Sequence, residues 1–209
     1  MAFKPAVALL AAAAVLMLGA CTEEEIAAYQ AANGGGGSGG GTVQPSPTPS
    51  PAPNNGSCAN AGNPGKMSTT QAVSQAEKCA ILKAHNDARA AEHAGIPDLT
   101  WSDTLANSAF AYAQKCVWAH SDTGYGENLM MGTAGGYSVT DAVNGWVGER
   151  RNYNGQPIGQ GNFSAYGHYT QVVWKSTTEV GCGYARCGGN VIMVCQYNPP
   201  GNYTGQKPF

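Results

Sequence analysis

Residues 167–174 read GHYTQVVW, with a histidine, a tyrosine, a threonine and a glutamine set directly ahead of Val172-Val173-Trp174. The apolar run predicts a strand over QVVWKS, with His168 at its mouth. Two further runs follow, EVGCGYA from Glu179 and NVIMVCQYN from Asn190. The last is apolar on consecutive positions, as in a strand covered on both faces. Between them, Arg186-Cys187-Gly188-Gly189-Asn190 is a hairpin signal. If Gly188-Gly189 form a two-residue turn, Cys187 pairs with Asn190 and Cys182 falls opposite Cys195, within disulfide reach.

Working towards the N-terminus, the period changes to that of helices. SQAEKCAILKAHNDARAAEHAG is rich in alanine and ends at Gly95 with Pro97 beyond it. SDTLANSAFAYAQKC places Leu105, Ala109, Tyr112, Ala113 and Cys116 on one face. In TDAVNGWVGERRNY, Thr140 is the expected cap, and Val143, Trp146, Val147 and Arg150 share a face. Helices followed by strands in about 140 residues predict one α+β domain over 67–209.

The N-terminal third is of another kind. Residues 1–20 carry Lys4 and an apolar run from Ala6 to Ala20, too short and wrongly flanked to span a membrane, and they read as an export signal. Leu18-Gly19-Ala20-Cys21 resembles the bacterial lipobox, which implies cleavage before Cys21 and its acylation (palmitate-type); the alternative is an ordinary signal peptide. Residues 21–66 then pass through TEEE, GGGGSGGG and PSPTPSPAP, the composition of a linker reaching on the order of 35–40 Å as a flexible coil. The expected state is a lipid-anchored, extracytoplasmic domain at a periplasmic or cell surface.

Beyond Cys21 there are six cysteines, an even set that suits three disulfides in an oxidising compartment. With Cys182–Cys195 assigned, the simplest completion is Cys116–Cys187 with Cys58–Cys79. No CxxC pair supports a zinc site made of cysteines. A net charge of −2 with 11% charged residues gives no nucleic-acid footprint. GTAGGY and GYGEN match no nucleotide-binding loop, and no GxSxG elbow occurs. Ser121 and Ser164 are weak nucleophile candidates.

GHYTQVVW, VGCGYARC (Val180–Cys187) and CQYNPPGNY (Cys195–Tyr203) together resemble the paired signatures of the CAP superfamily: cysteine-rich secretory proteins, insect venom antigens and plant pathogenesis-related proteins. HNDAR, LTWSDTLA, HS at 120–121, GYGENL and WVGE follow in family order. The resemblance implies a three-layer α-β-α sandwich stapled by Cys116–Cys187 and Cys182–Cys195. It implies a cleft lined by His120, Glu127, Glu149 and His168. Two imidazoles there could hold Zn²⁺ or another divalent cation, with the carboxylates ligating, orienting the rings or activating water. The competing expectation is a buried hydrogen-bond network.

Two functions follow from the resemblance. One is a non-enzymatic binding module for a sterol, fatty acid or similar apolar ligand, or for a surface partner, with Tyr125, Tyr137, Tyr153, Phe163 and Tyr166 as candidate groove residues. The alternative is a metal-dependent, peptidase-like hydrolase with His120 and His168 on the ion and Glu127 or Glu149 as base. His85 is expected to pack or make a polar contact, and His93 to face solvent near a helix end. PPGNYTGQKPF (199–209) resembles a C-terminal signal peptide of plant relatives.

Overall fold

The computed structural model describes Cys58 and residues 64–209. The export signal, Cys21 and all but Cys58 and 64–66 of the expected linker lie outside the described residues.

Three serines start the three longer helices. Ser74 accepts from the Glu77 amide while Glu77 reaches back to the Ser74 amide, a capping box that begins α1 (Gln75–Ala91). Ser102 caps α2 (Asp103–Ala113). α3 (Val139–Gly148) is capped by Ser138, boxed with Asp141. Thr140, the expected cap, is instead inside the helix; Ser138 has an acidic residue three positions on and wins the role.

The sheet contains β1 (Thr100–Trp101), β2 (Gly126–Thr133), β3 (Glu179–Cys187) and β4 (Asn190–Asn198), in the order β1-β3-β4-β2. β3 and β4 form the expected hairpin, with Cys187 opposite Asn190 and Cys182 opposite Cys195. The three disulfides are Cys58–Cys79, Cys116–Cys187 and Cys182–Cys195. Every residue from Val191 to Tyr197 is buried, as the doubly apolar pattern predicts.

Each face of the sheet is selected by side-chain size. On one face Gly181 and Gly183 leave room for α2, since a Cβ at either would run into helix backbone at Ala106 or Phe110. Ala109, Ala113, Leu129, Ile192 and Val194 pack there as a small core. The opposite face presents Val180, Tyr184, Met193 and Tyr197 to a larger core shared with α1, α3 and the short α4 (Gly167–Val172). The result is an α-β-α sandwich.

One strand expectation needs correction, and one strand carries no signal in the sequence. QVVWKS is not a strand: GHYTQV forms α4, and the chain leaves it at Val173. The physical reason is Arg89, fully buried on α1, whose guanidinium donates to the carbonyls of Val172, Trp174 and Thr177, each at 3.0 Å. Those acceptors are spent on a side chain rather than on a ladder. Conversely, β2 arises from GENLMMGT, which lacks β-branched alternation and is a strand because β4 pairs with its full length.

Among the described residues, no helix is long and apolar enough to cross a membrane.

Candidate functional site

The site is organised around the outer strand β2, whose successive side chains point to opposite faces. Glu127 lies on the α2 face, opposite Gln196 of β4. Its carboxylate accepts from His120 Nδ1 at 3.0 Å, the Ser121 amide at 2.9 Å, Ser121 Oγ at 2.5 Å and Gln196 Nε2 at 3.1 Å. Burial pushes the Glu127 carboxyl up, but the bonds from His120 and Ser121 outweigh it and hold the pKa below the usual carboxylate value.

The next residue, Asn128, projects into the other layer. Its amide donates to the His168 carbonyl at 3.0 Å and to the Tyr197 hydroxyl at 3.2 Å. Tyr197 in turn lies 2.9 Å from His85 Nε2, and His85 Nδ1 lies 2.8 Å from the Ile81 carbonyl. A carbonyl only accepts, so Nδ1 carries the proton and Nε2 accepts from Tyr197. Burial lowers the His85 pKa to about 4, keeping the ring neutral. His85 is thus an interior polar anchor, while His93 is exposed just beyond α1 with φ 52°.

The second histidine–carboxylate pair is built at the junction of α3 and α4. Glu149 follows the last residue of α3 and accepts from His168 Nδ1 at 2.7 Å and the His168 amide at 3.0 Å. The Tyr169 amide adds a longer contact at 3.3 Å. One carboxylate therefore fixes the ring and satisfies amides that the first turn of α4 leaves without helical partners. Trp146 stacks on His168 with centroids 6.2 Å apart and donates its indole N–H to the Leu129 carbonyl.

The four residues singled out in the sequence therefore come together two by two, His120 with Glu127 and His168 with Glu149. Both imidazoles present Nδ1 to a carboxylate, which in the neutral ring places the acceptor lone pair on Nε2. Among the described residues no three of His, Cys, Asp and Glu form a group able to hold a metal.

A groove of about 480 Å³, open mouth included, runs between β2 and α3 beside the second pair. Trp118, Met130, Met131, Tyr137 and Trp146 line it, with Glu149 and His168 among its polar walls. Trp118 is 39% exposed, whereas Trp146 is buried. Of the five aromatics expected in a groove only Tyr137 lines this one. Tyr153 and Tyr166 are spent in the core, where they pack on each other, and Phe163 packs against Tyr166. Tyr137 is free to lie over the strand because residue 132 is a glycine; a Cβ there would overlap its ring.

Ser121 is tied to Glu127, and Ser164 donates to Asn162 Oδ1 at 2.6 Å, in a different part of the chain. Trp118, Asn128, Trp146 and Gln196 were not legible as site residues. Asn128 and Gln196 lie inside quoted motifs, and their roles depend on register with one another's strands.

Residues 82–197 match the model of the cysteine-rich secretory protein family, CAP. The chain belongs to this family. The tobacco (Nicotiana tabacum) pathogenesis-related protein 1A is 40% identical over 133 residues, 61% of this chain and 78% of that protein. A PR-1 type protein of Sambucus nigra is 41% identical over 134 residues, 61% of this chain and 79% of its own. Among solved structures, this CAP domain is similar to NaASP2 crystallised with Zn²⁺, with TM-score 0.61 and 26% identity over 68% of this chain and 89% of that one. The hookworm platelet inhibitor shares the fold, with TM-score 0.58 and 22% identity over 68% and 80% of the two chains.

Proposed function

We propose that this CAP protein is a tethered, extracytoplasmic binding module whose groove between β2 and α3 takes a small ligand with an apolar body. The observation that carries this reading is the groove lining: aromatic and methionine side chains next to a fixed histidine–carboxylate pair. Concave, mostly apolar sites with a few positioned polar groups are the usual form of small-molecule sites. Methionine adds adaptability to the shape of the occupant. Export and acylation at Cys21 would hold the module at a bacterial membrane surface, with the Gly/Pro-rich segment as spacer.

A divalent cation such as Zn²⁺ is the second proposed ligand, held by His120 and His168. The Nδ1–carboxylate bonds support this, because a carboxylate on the far nitrogen is what orients a ligating imidazole in metal sites. NaASP2 was crystallised with Zn²⁺, which makes zinc the ion to try. A catalytic zinc usually has three protein ligands. The described residues converge no such set, so the donors fit a weakly held ion better than a hydrolytic centre.

The test is paired titration of the purified protein with Zn²⁺ and with a neutral aliphatic alcohol. The reading expects alcohol binding that quenches tryptophan fluorescence and is lost in Trp118→Ala with Met131→Ala. It expects zinc binding that disappears in His120→Ala with His168→Ala. Absence of alcohol binding to the wild-type protein removes the groove from consideration.

A further inference from the structure

The charged groups of the groove are of one sign. Its lining includes two carboxylates, Asp141 and Glu149, and contains no lysine or arginine. Three aromatic side chains, Trp118, Tyr137 and Trp146, share that lining.

The two carboxylates are unequal. Asp141 caps α3 and is paired with Lys66 at 2.5 Å on an exposed rim, so its field is already neutralised and screened. Glu149 is held instead by His168 Nδ1 and two backbone amides, and among the described residues no lysine or arginine is paired with it. Its carboxylate stands beside an apolar wall. A fatty acid placed here would bring a second carboxylate towards Glu149 with no lining cation to meet it. An ammonium group would meet a carboxylate and the electron-rich faces of aromatic rings together.

Resting on the binding-module reading, we propose that the groove selects an amphiphilic organic cation: an aliphatic or ring body bearing a quaternary ammonium or protonated amine. The body lies along Met131 and Trp146, and the cationic end lies towards Glu149, within the aromatic wall that Trp118 and Tyr137 complete. Gly132 belongs to the same device, because its lack of a side chain is what lets the Tyr137 ring settle over the strand.

The experiment compares three probes of one chain length, decyltrimethylammonium, decanoate and decanol, titrated into the disulfide-bonded protein below their micelle concentrations and followed by tryptophan fluorescence and calorimetry. The expected result is that the ammonium binds about tenfold tighter than decanoate, the scale of a partly desolvated cation–aromatic contact. Trp118→Ala, at a half-exposed position that does not disturb the core, should weaken the ammonium more than decanol. Glu149→Gln should narrow the gap between ammonium and decanoate, with near-UV circular dichroism confirming an unchanged fold. Decanoate binding as tightly as the ammonium overturns the charge selection and leaves the apolar-groove reading standing. Failure of all three probes to bind overturns both.

Discussion

Asn128 holds His168 by its backbone rather than by its ring: the Asn128 amide lies 3.0 Å from the His168 carbonyl oxygen. The same nitrogen serves the Tyr197 hydroxyl, so one side chain on β2 couples α4 to the His85–Tyr197 contact. Glu149 then works on the other end of the same residue, through the His168 amide and Nδ1. His168 is therefore positioned from both sides by groups that sequence spacing does not connect.

Asn128→Ala removes a donor from two buried acceptors, and the expected cost is about 1–3 kcal/mol in denaturant unfolding. A purely structural loss would leave the histidine ring unaffected. If Asn128 also positions His168, the ¹⁵N resonances of that ring shift in the variant while those of His93 do not. An unchanged His168 spectrum would reduce Asn128 to a packing residue.

Buried His85 sets an acid limit on stability. Its folded pKa, about 4, lies below the ordinary 6.5, so between these values the unfolded chain binds more protons than the native one. Stability therefore falls as pH drops from 6.5 towards 4, by on the order of 3 kcal/mol in full. His85→Phe should be less stable at neutral pH, because the Tyr197 hydroxyl loses its acceptor, yet show a flatter profile across that window. Urea midpoints at half-unit pH steps check this, and an equal slope in both proteins refutes it.

Glu127 acts in a more acid window. Its folded pKa is depressed, so its contribution is complete above the unfolded value of 4.5 and is lost as pH falls through the lower folded value. Glu127→Gln should lower the midpoint at pH 7, and the gap from wild type should close below about pH 4.5. A gap that stays constant with pH would show that the carboxylate charge is not what the His120–Ser121 cluster recognises.

These residues also show what the sequence could and could not reveal. The β3–β4 hairpin and its Cys182–Cys195 bridge followed from Gly188-Gly189 because a two-residue turn fixes register locally. α1 was legible from its periodicity, although it ends at Ala91, four residues short of the stop expected at Gly95. α4 was not, because an apolar β-branched run reads the same in a strand and in a short buried helix. What decides it is a guanidinium on α1 more than eighty residues earlier. Placing His120, Glu127, Glu149 and His168 in one cleft required the family resemblance, and their pairing two by two comes from the structure, since separations of seven and nineteen residues match no short motif. Gln196 lies inside the CQYNPPGNY motif, but its role exists only through its place opposite Glu127.

Two glycine-to-alanine substitutions should move stability in opposite directions, and together they test the layer assignment. At Gly183 a Cβ would press on the Phe110 backbone of α2, which cannot rotate away as a side chain could. α2 would have to lift from the sheet, disturbing Ala109 and Val194 beneath it, and the expected loss is about 1–3 kcal/mol or more. Gly145 lies exposed within α3, and a Cβ there meets nothing within 4 Å. Alanine at that position lowers the entropy of the unfolded chain and suits the helix, for an expected gain of about 0.5–1 kcal/mol. Thermal and urea unfolding of both variants give the comparison. A neutral Gly183→Ala would mean that α2 does not rest directly on β3, and the small core between them would have to be reassigned.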